Sequence, residues 1–127
     1  MTPGYSGKPL HQKLGIKPNV GVRVEGWDGD YAALVGVEFS AGGDDAALVH
    51  IFGTTIAGLS ASVNRALLTL PEGGAIWVSW PKRASGVATD ITEDRIRDVV
   101  LPLGLVDVKV CAVTDTWSGL KLLRRRR

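Results

Sequence analysis

The sequence is short of the residues that cross-link a chain or hold a metal. It has one cysteine, Cys111, and two histidines in 127 residues. A single cysteine excludes an internal disulfide, and with so few histidines the chain lacks the usual ligands of a zinc cage. We therefore expect no metal site and a reducing, cytoplasmic setting.

Long hydrophobic runs are also missing. The longest ones, such as Ala46–Val49 and Val110–Val113, fall far short of the roughly 20 residues that a membrane-spanning helix needs. Residues 1–15 have no apolar centre, so we do not expect a secretory signal there. The apolar share of 45% and the charged share of 22% are ordinary for one globular domain. No membrane partner is expected.

The formal charge of +2 comes from the C-terminus. Without the four arginines at 124–127, the chain has 11 basic residues against 13 acidic ones, a formal charge of −2. A mildly acidic body does not predict a nucleic-acid-binding surface. The arginine tail can contact RNA, DNA or anionic lipid through counterion release, although a solvated chain end explains it more simply.

Hydrophobic periodicity predicts strands alternating with helices, then a hairpin. Continuous apolar runs indicate strands buried on both faces, as in a parallel sheet. Thr54 or Thr55 is placed to cap the second helix, and Asp90 with Glu93 has the spacing of a capping box for the third. The predicted strands are Val20–Glu25, Ala46–Phe52, Ala75–Trp80, Leu105–Val113 and Trp117–Leu123, and the predicted helices are Asp30–Gly36, Ile56–Leu70 and Thr92–Leu101.

This order predicts an α/β fold: a reduced Rossmann-like three-layer sandwich, with a mostly parallel sheet that ends in an antiparallel C-terminal hairpin. We expect a single domain over residues 20–123, an N-terminal arm over 1–19 and a basic tail over 124–127. A short helical turn in the arm would lay Leu10 and Leu14 on the domain.

Three blocks carry a resemblance to a known family: "YSGKPLHQKLGIKP", "GAIWVSWPKRASGVATDITED" and "LPLGLVDVKVCAVTDTWSGLKL". They are similar to a small bacterial family of unknown function, domain of unknown function 3052. That resemblance implies a single small cytoplasmic domain with no established activity.

From Ala46 onward the order of elements also resembles the second half of a class I methyltransferase core. Such enzymes cradle their cofactor with a glycine-rich loop after the first strand and bind its ribose with an acid at the tip of the second. Here "EGWDGD" puts Trp27 where a small residue is usual, and there is no room for two full strand–helix units between Gly36 and Asp45. These departures predict no cofactor and argue against methyl transfer.

Ligands of open α/β sheets bind at the carboxyl ends of the parallel strands. We expect three segments to meet there: Trp27–Asp30, Gly53–Thr55 and Trp80–Gly86. Cations, small residues and tryptophan rings can together hold a carboxylate or phosphate beside a flat group. The alternative is that Pro81 ends the strand, Trp80 covers the core and the bases are solvated. The predicted ligand-binding residues are Trp27, Asp28, Thr54, Trp80, Lys82, Arg83, Ser85, Gly86 and Thr89.

Other polar residues have simpler structural interpretations. His50, within an apolar strand, is interpreted as a hydrogen-bonded core residue rather than a general base, and Cys111 as a small core residue. Asp115, Trp117 and Ser118 are typical of a hairpin turn with an aromatic plug. The acids Asp28, Asp30, Asp44 and Asp45 match no calcium loop and are expected in turns.

Three function hypotheses follow. The first is a non-catalytic binding or regulatory module that holds a small anionic ligand or a partner protein at the strand-end rim. The second is a small enzyme derived from a methyltransferase-like fold, with Asp28, His50 or Asp90 as acid–base groups. The third is a nucleic-acid accessory protein acting through its tail. A homodimer is also predicted if Trp117–Leu123 is an open edge strand.

Overall fold

A computed structural model describes residues 8–126 as one six-stranded sheet with helices on both faces. The strands are β1 (Gly21–Glu25), β2 (Ser40–Ala41), β3 (Leu48–Phe52), β4 (Ala75–Pro81), β5 (Leu105–Ala112) and β6 (Trp117–Arg124). The helices are α1 (Leu10–Leu14), α2 (Tyr31–Val35), α3 (Ile56–Thr69) and α4 (Glu93–Val100), with short 3-10 helices at Arg83–Ser85 and Leu101–Leu103. No helix in this part of the chain is long and apolar enough to cross a bilayer.

The sheet has the order β2-β1-β3-β4-β6-β5. Strands β1 to β4 pair in parallel, whereas β6 runs antiparallel to both of its neighbours, β4 and β5. The predicted fold class is therefore confirmed, including the antiparallel C-terminal hairpin.

The α3 face, the side of the sheet covered by α3 and α4, holds the larger core. Its helices begin at threonine caps: the Thr55 side chain accepts from the Gly58 N–H, and the Thr92 side chain accepts from the Arg95 N–H. Both caps satisfy backbone donors that a helix start leaves unpaired. The buried residues here include Ile51, Leu59, Val63, Ile76, Val78, Trp80, Ile96, Leu120 and Leu122.

The α2 face, the opposite side, is covered by α1, α2 and the segment between α1 and β1. Leu14 and Ile16 are buried there beside Trp77. The indole N–H of Trp77 donates to the Leu14 carbonyl over 3.0 Å, so both groups of this buried contact are hydrogen-bonded. Residues 8–19 of the predicted arm therefore fold back onto the domain, and Leu10 and Leu14 pack against it as expected.

The structure corrects three local expectations. Asp90 does not cap α4; its carboxylate accepts from the Ile56 N–H over 2.7 Å at the start of α3. The sequence pattern missed β2, because a two-residue strand has no measurable alternation. Arg124, assigned to the tail, is the last residue of β6.

The expected edge strand is also wrong. β6 is hydrogen-bonded on both sides, and the outer strand is β5. β5 carries a register shift between Asp107 and Lys109. A bulge and a lysine on an edge strand both discourage pairing with another chain. The homodimer stays a prediction, but β6 is not the open edge strand from which it was inferred.

Candidate ligand groove at the strand ends

A groove of about 760 Å³ lies on the α3 face at the carboxyl end of β4. Trp80 and Ser118 line its floor; they are register partners on β4 and β6. Ser118 is in turn the register partner of Ala112 on β5. The two residues across the sheet from Trp80 in the direction of β5 therefore both have small side chains. The walls are the loop that follows β4 and the first turns of α4. Its volume is in the range of small-molecule sites.

Hydrogen bonds within the loop fix its shape. The Ser85 hydroxyl donates to the Lys82 carbonyl over 2.7 Å and accepts from the Val87 N–H over 3.2 Å. The Thr89 hydroxyl donates to the Thr54 carbonyl over 2.6 Å and accepts from the Ile91 N–H. Together with the Asp90 contact to α3, these bonds preorganise the wall. The Ser85 and Thr89 hydroxyls, which the sequence predicts to bind a ligand, thus each make two hydrogen bonds within the protein.

Several charged side chains around the groove already make contacts within the protein. Arg97 donates to Glu93, Asp94 and Asp107 over 2.8–3.1 Å. Hydrogen bonds to Asp107 and Glu93 raise the pKa of Arg97 above its ordinary value. The Lys82 ammonium donates to the Thr114 carbonyl over 3.0 Å, which ties the loop to the hairpin turn.

Two arginines remain uncompensated. Arg83 and Arg95 both line the groove and are exposed. Within residues 8–126 neither side chain makes a hydrogen bond or an ion pair. The lining holds four basic residues (Lys82, Arg83, Arg95 and Arg97) and three acidic ones (Asp90, Glu93 and Asp94), a formal charge of +1, and Arg83 and Arg95 are the two bases that remain available to a ligand.

The structure brings together only part of the predicted site. Trp80, Lys82, Arg83, Gly86 and Thr89 line the groove. Thr54 and Ser85 do not line it and act through the loop contacts given above.

Trp27 and Asp28 lie elsewhere, so the expectation that Trp27 and Trp80 share one lip is wrong. Trp80 belongs to the α3 face, and Trp27 packs on the α2 face. Consecutive strand residues point to opposite faces, and Trp80 alternates with Ser79 and Trp77. The loop that carries Trp27 closes over the other side of the sheet.

Sequence reasoning missed Arg95 and did not assign Ser118 to this groove. One signal was available for Arg95. It occupies the first turn of α4 beside Glu93 and Asp94, where a helix dipole favours acids and disfavours a base. A cation at such a position is compatible with a role other than helix stabilisation.

A second crevice, between the carboxyl ends of β1 and β3, is closed. The chain moves from β1 to β2 on one side and then returns to β3 on the other, which is the switch point where α/β sheets commonly bind ligands. Gly26 has φ 84°, and a Cβ there would lie 2.3 Å from the Phe52 carbonyl oxygen. The Trp27 ring lies 4.9 Å from the Phe52 ring and 6.4 Å from the Trp117 ring. Aromatic side chains thus fill this crevice.

Two acids at the end of β1 and the start of α2 are engaged in contacts within the protein. Glu25 pairs with Arg23 and, over 3.4 Å, with Arg65. Asp30 caps α2 by accepting from the Ala33 N–H over 3.2 Å. Strand β2 ends at Ala41, opposite Val22, well before β1 ends at Glu25. A side chain at the tip of β2 therefore lies below the rim.

His50 lies in a buried polar chain on the α2 face. Its Nδ1 is 2.7 Å from the Tyr31 hydroxyl, and its Nε2 is 2.7 Å from the Ser79 hydroxyl. Burial lowers the pKa of His50 to about 3 and raises the pKa of Tyr31. All three side chains are buried, so no substrate reaches them. The interpretation of His50 as a hydrogen-bonded core residue is confirmed.

Solved structures show which fold this is. The chain superposes on a ribosomal protein L11 methylase from Lactobacillus delbrueckii subsp. bulgaricus with a TM-score of 0.58 and 14% identity, covering 91% of this chain and 74% of that one. It also superposes on a protein of the NADB-Rossmann superfamily from Streptococcus agalactiae with a TM-score of 0.60 and 10% identity, covering 97% of this chain and 70% of that one. A third match is an rRNA methylase from Streptococcus thermophilus, with a TM-score of 0.55 and 10% identity, covering 97% of this chain and 100% of that one.

Comparisons of sequence give no further assignment. No family model and no curated protein matches the chain. The resemblance to the small bacterial family therefore stays a prediction.

One of the matched structures contains bound S-adenosylmethionine, on a magnesium protoporphyrin IX methyltransferase from Synechocystis PCC 6803. The residues of this chain do not fit that cofactor at the switch point. Trp27 and Phe52 occupy the crevice, Glu25 is ion-paired, and β2 stops short of the rim. The chain thus shares the Rossmann-like fold of these proteins, and its own side chains fill the crevice at the switch point.

Proposed function

We propose that this protein is a non-catalytic binding module that holds a small anionic ligand in the groove beside Trp80. One observation carries the proposal: Arg83 and Arg95 line the same groove with no intramolecular partner in the described chain. Guanidinium groups bind carboxylates and phosphates with two parallel hydrogen bonds. The preformed loop lowers the ordering cost of binding.

The lining supports binding rather than catalysis. Among the described residues, no histidine or cysteine lines the groove. The His50–Ser79 pair, which has the distance of a base and a nucleophile, is buried on the other face of the sheet. Carboxylates can also act as general acids or bases, but the three in the lining are held by other contacts: Asp90 accepts from the Ile56 N–H, and Glu93 and Asp94 accept from Arg97.

The test is a titration of tryptophan fluorescence with inorganic phosphate, pyrophosphate, succinate and citrate, repeated by calorimetry. We expect saturable binding of at least one anion. Arg83→Gln and Arg95→Gln should each weaken it about tenfold or more, because a hydrogen bond to a charged group contributes roughly 1.5–3 kcal/mol. Trp80→Phe should reduce the fluorescence response while calorimetry still reports binding.

Arg65→Gln is the matched control, since Arg65 is an exposed arginine on α3 that does not line this groove. It should leave the affinity unchanged. An equal loss in Arg65→Gln would mean nonspecific charge attraction. No binding of any probe at about 10 mM, where a site with a Kd near 1 mM is mostly filled, would refute the proposal.

A further inference from the structure

The C-terminal arginines follow β6 at the end of the sheet opposite to the first groove, where β4 begins, and the first of them is held by hydrogen bonds. The Arg124 guanidinium donates to the carbonyls of Leu67, Leu70 and Pro71 over 2.8–3.2 Å, at the end of α3. The Arg125 N–H donates to the Gly104 carbonyl over 2.7 Å. The residues predicted as a free tail are therefore anchored as far as Arg125.

Two further grooves flank this anchored segment. One of about 830 Å³ lies between Arg124–Arg126 and the turn at 70–74. The other, of about 440 Å³, lies between the same arginines and Leu103–Gly104. The turns are rich in glycine; at Gly73 even a Cβ would meet no atom within 4 Å. An extended ligand backbone can approach closely there.

The arginines set the charge of the surface around these two grooves. Helices α3 and α4 both end here, and the exposed carbonyls of helix ends repel anions. Arg124 covers the end of α3 by bonding its carbonyls. Arg125 and Arg126 are exposed, and within the described residues their side chains have no hydrogen bond or ion pair. Glu72 is the one acid that lines either groove in that part of the chain.

We propose that Arg125 and Arg126 bind the phosphate backbone of a single-stranded nucleic acid, at a site separate from the groove beside Trp80. The guanidinium groups of these arginines can each bind a backbone phosphate with two hydrogen bonds. Short concave grooves suit a flexible strand better than a rigid duplex. Contacts to phosphate carry no sequence information, so we expect the binding to be independent of base sequence.

The experiment uses the full chain and a fluorescein-labelled RNA of mixed sequence, about 12 nucleotides long, with anisotropy measured across a salt series. Neutralising two phosphates predicts a loss of affinity of roughly sevenfold between 50 and 200 mM salt. In Arg125→Gln/Arg126→Gln we expect the affinity to fall and the salt dependence to flatten. Arg125→Lys/Arg126→Lys should keep most of the salt dependence but bind more weakly, because lysine lacks the two-pronged contact.

Controls separate this site from the first groove. Arg83→Gln/Arg95→Gln should leave RNA binding unchanged, and circular dichroism melts should show that every variant is folded. Unaltered RNA binding by Arg125→Gln/Arg126→Gln would overturn the proposal. So would equally tight binding of a polyglutamate peptide of the same charge, or of phosphatidylserine vesicles, since either would point to a different class of partner.

Discussion

The two crevices at the carboxyl end of the sheet make an instructive comparison. The one between β1 and β3 lies where the fold commonly binds ligands, yet Trp27 and Phe52 fill it. The one beside β4 and β6 is open and carries two unpaired arginines. The backbone supplies both concave places, but the side chains decide which one can receive a ligand. Fold resemblance alone would have selected the closed crevice.

The largest effect expected from this comparison is on stability. Phe52→Ala removes the ring that contacts Trp27, Trp117 and, stacked at 4.2 Å, His50. We expect the free energy of unfolding to fall by about 3–5 kcal/mol, the usual cost of removing a buried aromatic side chain. Urea denaturation measures this loss.

Val87→Ala is the control on the open side, because Val87 lines the first groove and is exposed. It should change the free energy of unfolding by less than about 0.5 kcal/mol. Similar losses in the two variants would mean that the β1–β3 crevice is not part of the core.

A second effect is the pH dependence that His50 contributes. Burial lowers its pKa in the folded state to about 3, below the ordinary 6.5. The unfolded chain therefore binds the extra proton first, and the folded state loses stability as the pH falls from 6.5 towards 3. The slope is about 1.4 kcal/mol per pH unit at its steepest.

Comparing the native protein with His50→Leu between pH 7 and pH 5 isolates this contribution. The native protein should lose roughly 2 kcal/mol more than the variant over that interval, measured by urea denaturation at each pH. Other titrating groups are common to both chains and cancel. At pH 7 the variant should itself be less stable, since Tyr31 and Ser79 lose their buried partner. Parallel pH profiles would show that His50 is not buried in its neutral form.

The smallest expected effect is none at all. S-adenosylhomocysteine should not raise the melting temperature or release heat in calorimetry, because Trp27 and Phe52 occupy the crevice between β1 and β3. The anion that binds best beside Trp80 is the positive control in the same assay. A saturable shift with S-adenosylhomocysteine would show that the aromatic residues move aside, and the contrast between the two crevices would fail.

Much of the fold could be predicted because hydrophobic periodicity marks elements that are long and buried. Helix α3 and strands β3 and β4 fall within a residue or two of the expected ranges. Periodicity says nothing about the loop at Trp27, whose direction is set by contacts with Phe52 and Trp117. Five of the nine predicted site residues line the groove, and the loop residue Trp27 is among those that do not.

Other errors have the same origin in long-range contacts. Asp90 had the spacing of a local cap but bonds to a helix 34 residues away in sequence. The order of the hairpin strands was equally hidden, because the sequence does not say which strand inserts next to β4. Arg95 could be suspected from its place in a helix start, but its groove required the packing of α4 against β5 and α3 to be known.

The bond between the Trp77 indole and the Leu14 carbonyl has a practical consequence for anyone shortening this protein. A truncation that starts at Val20 would strip the cover from a large apolar ring and leave its N–H without an acceptor. Such a fragment is expected to aggregate, even though it retains every strand of the sheet. Tags and fusions at the amino terminus should therefore preserve the segment from Leu10 to Ile16 intact.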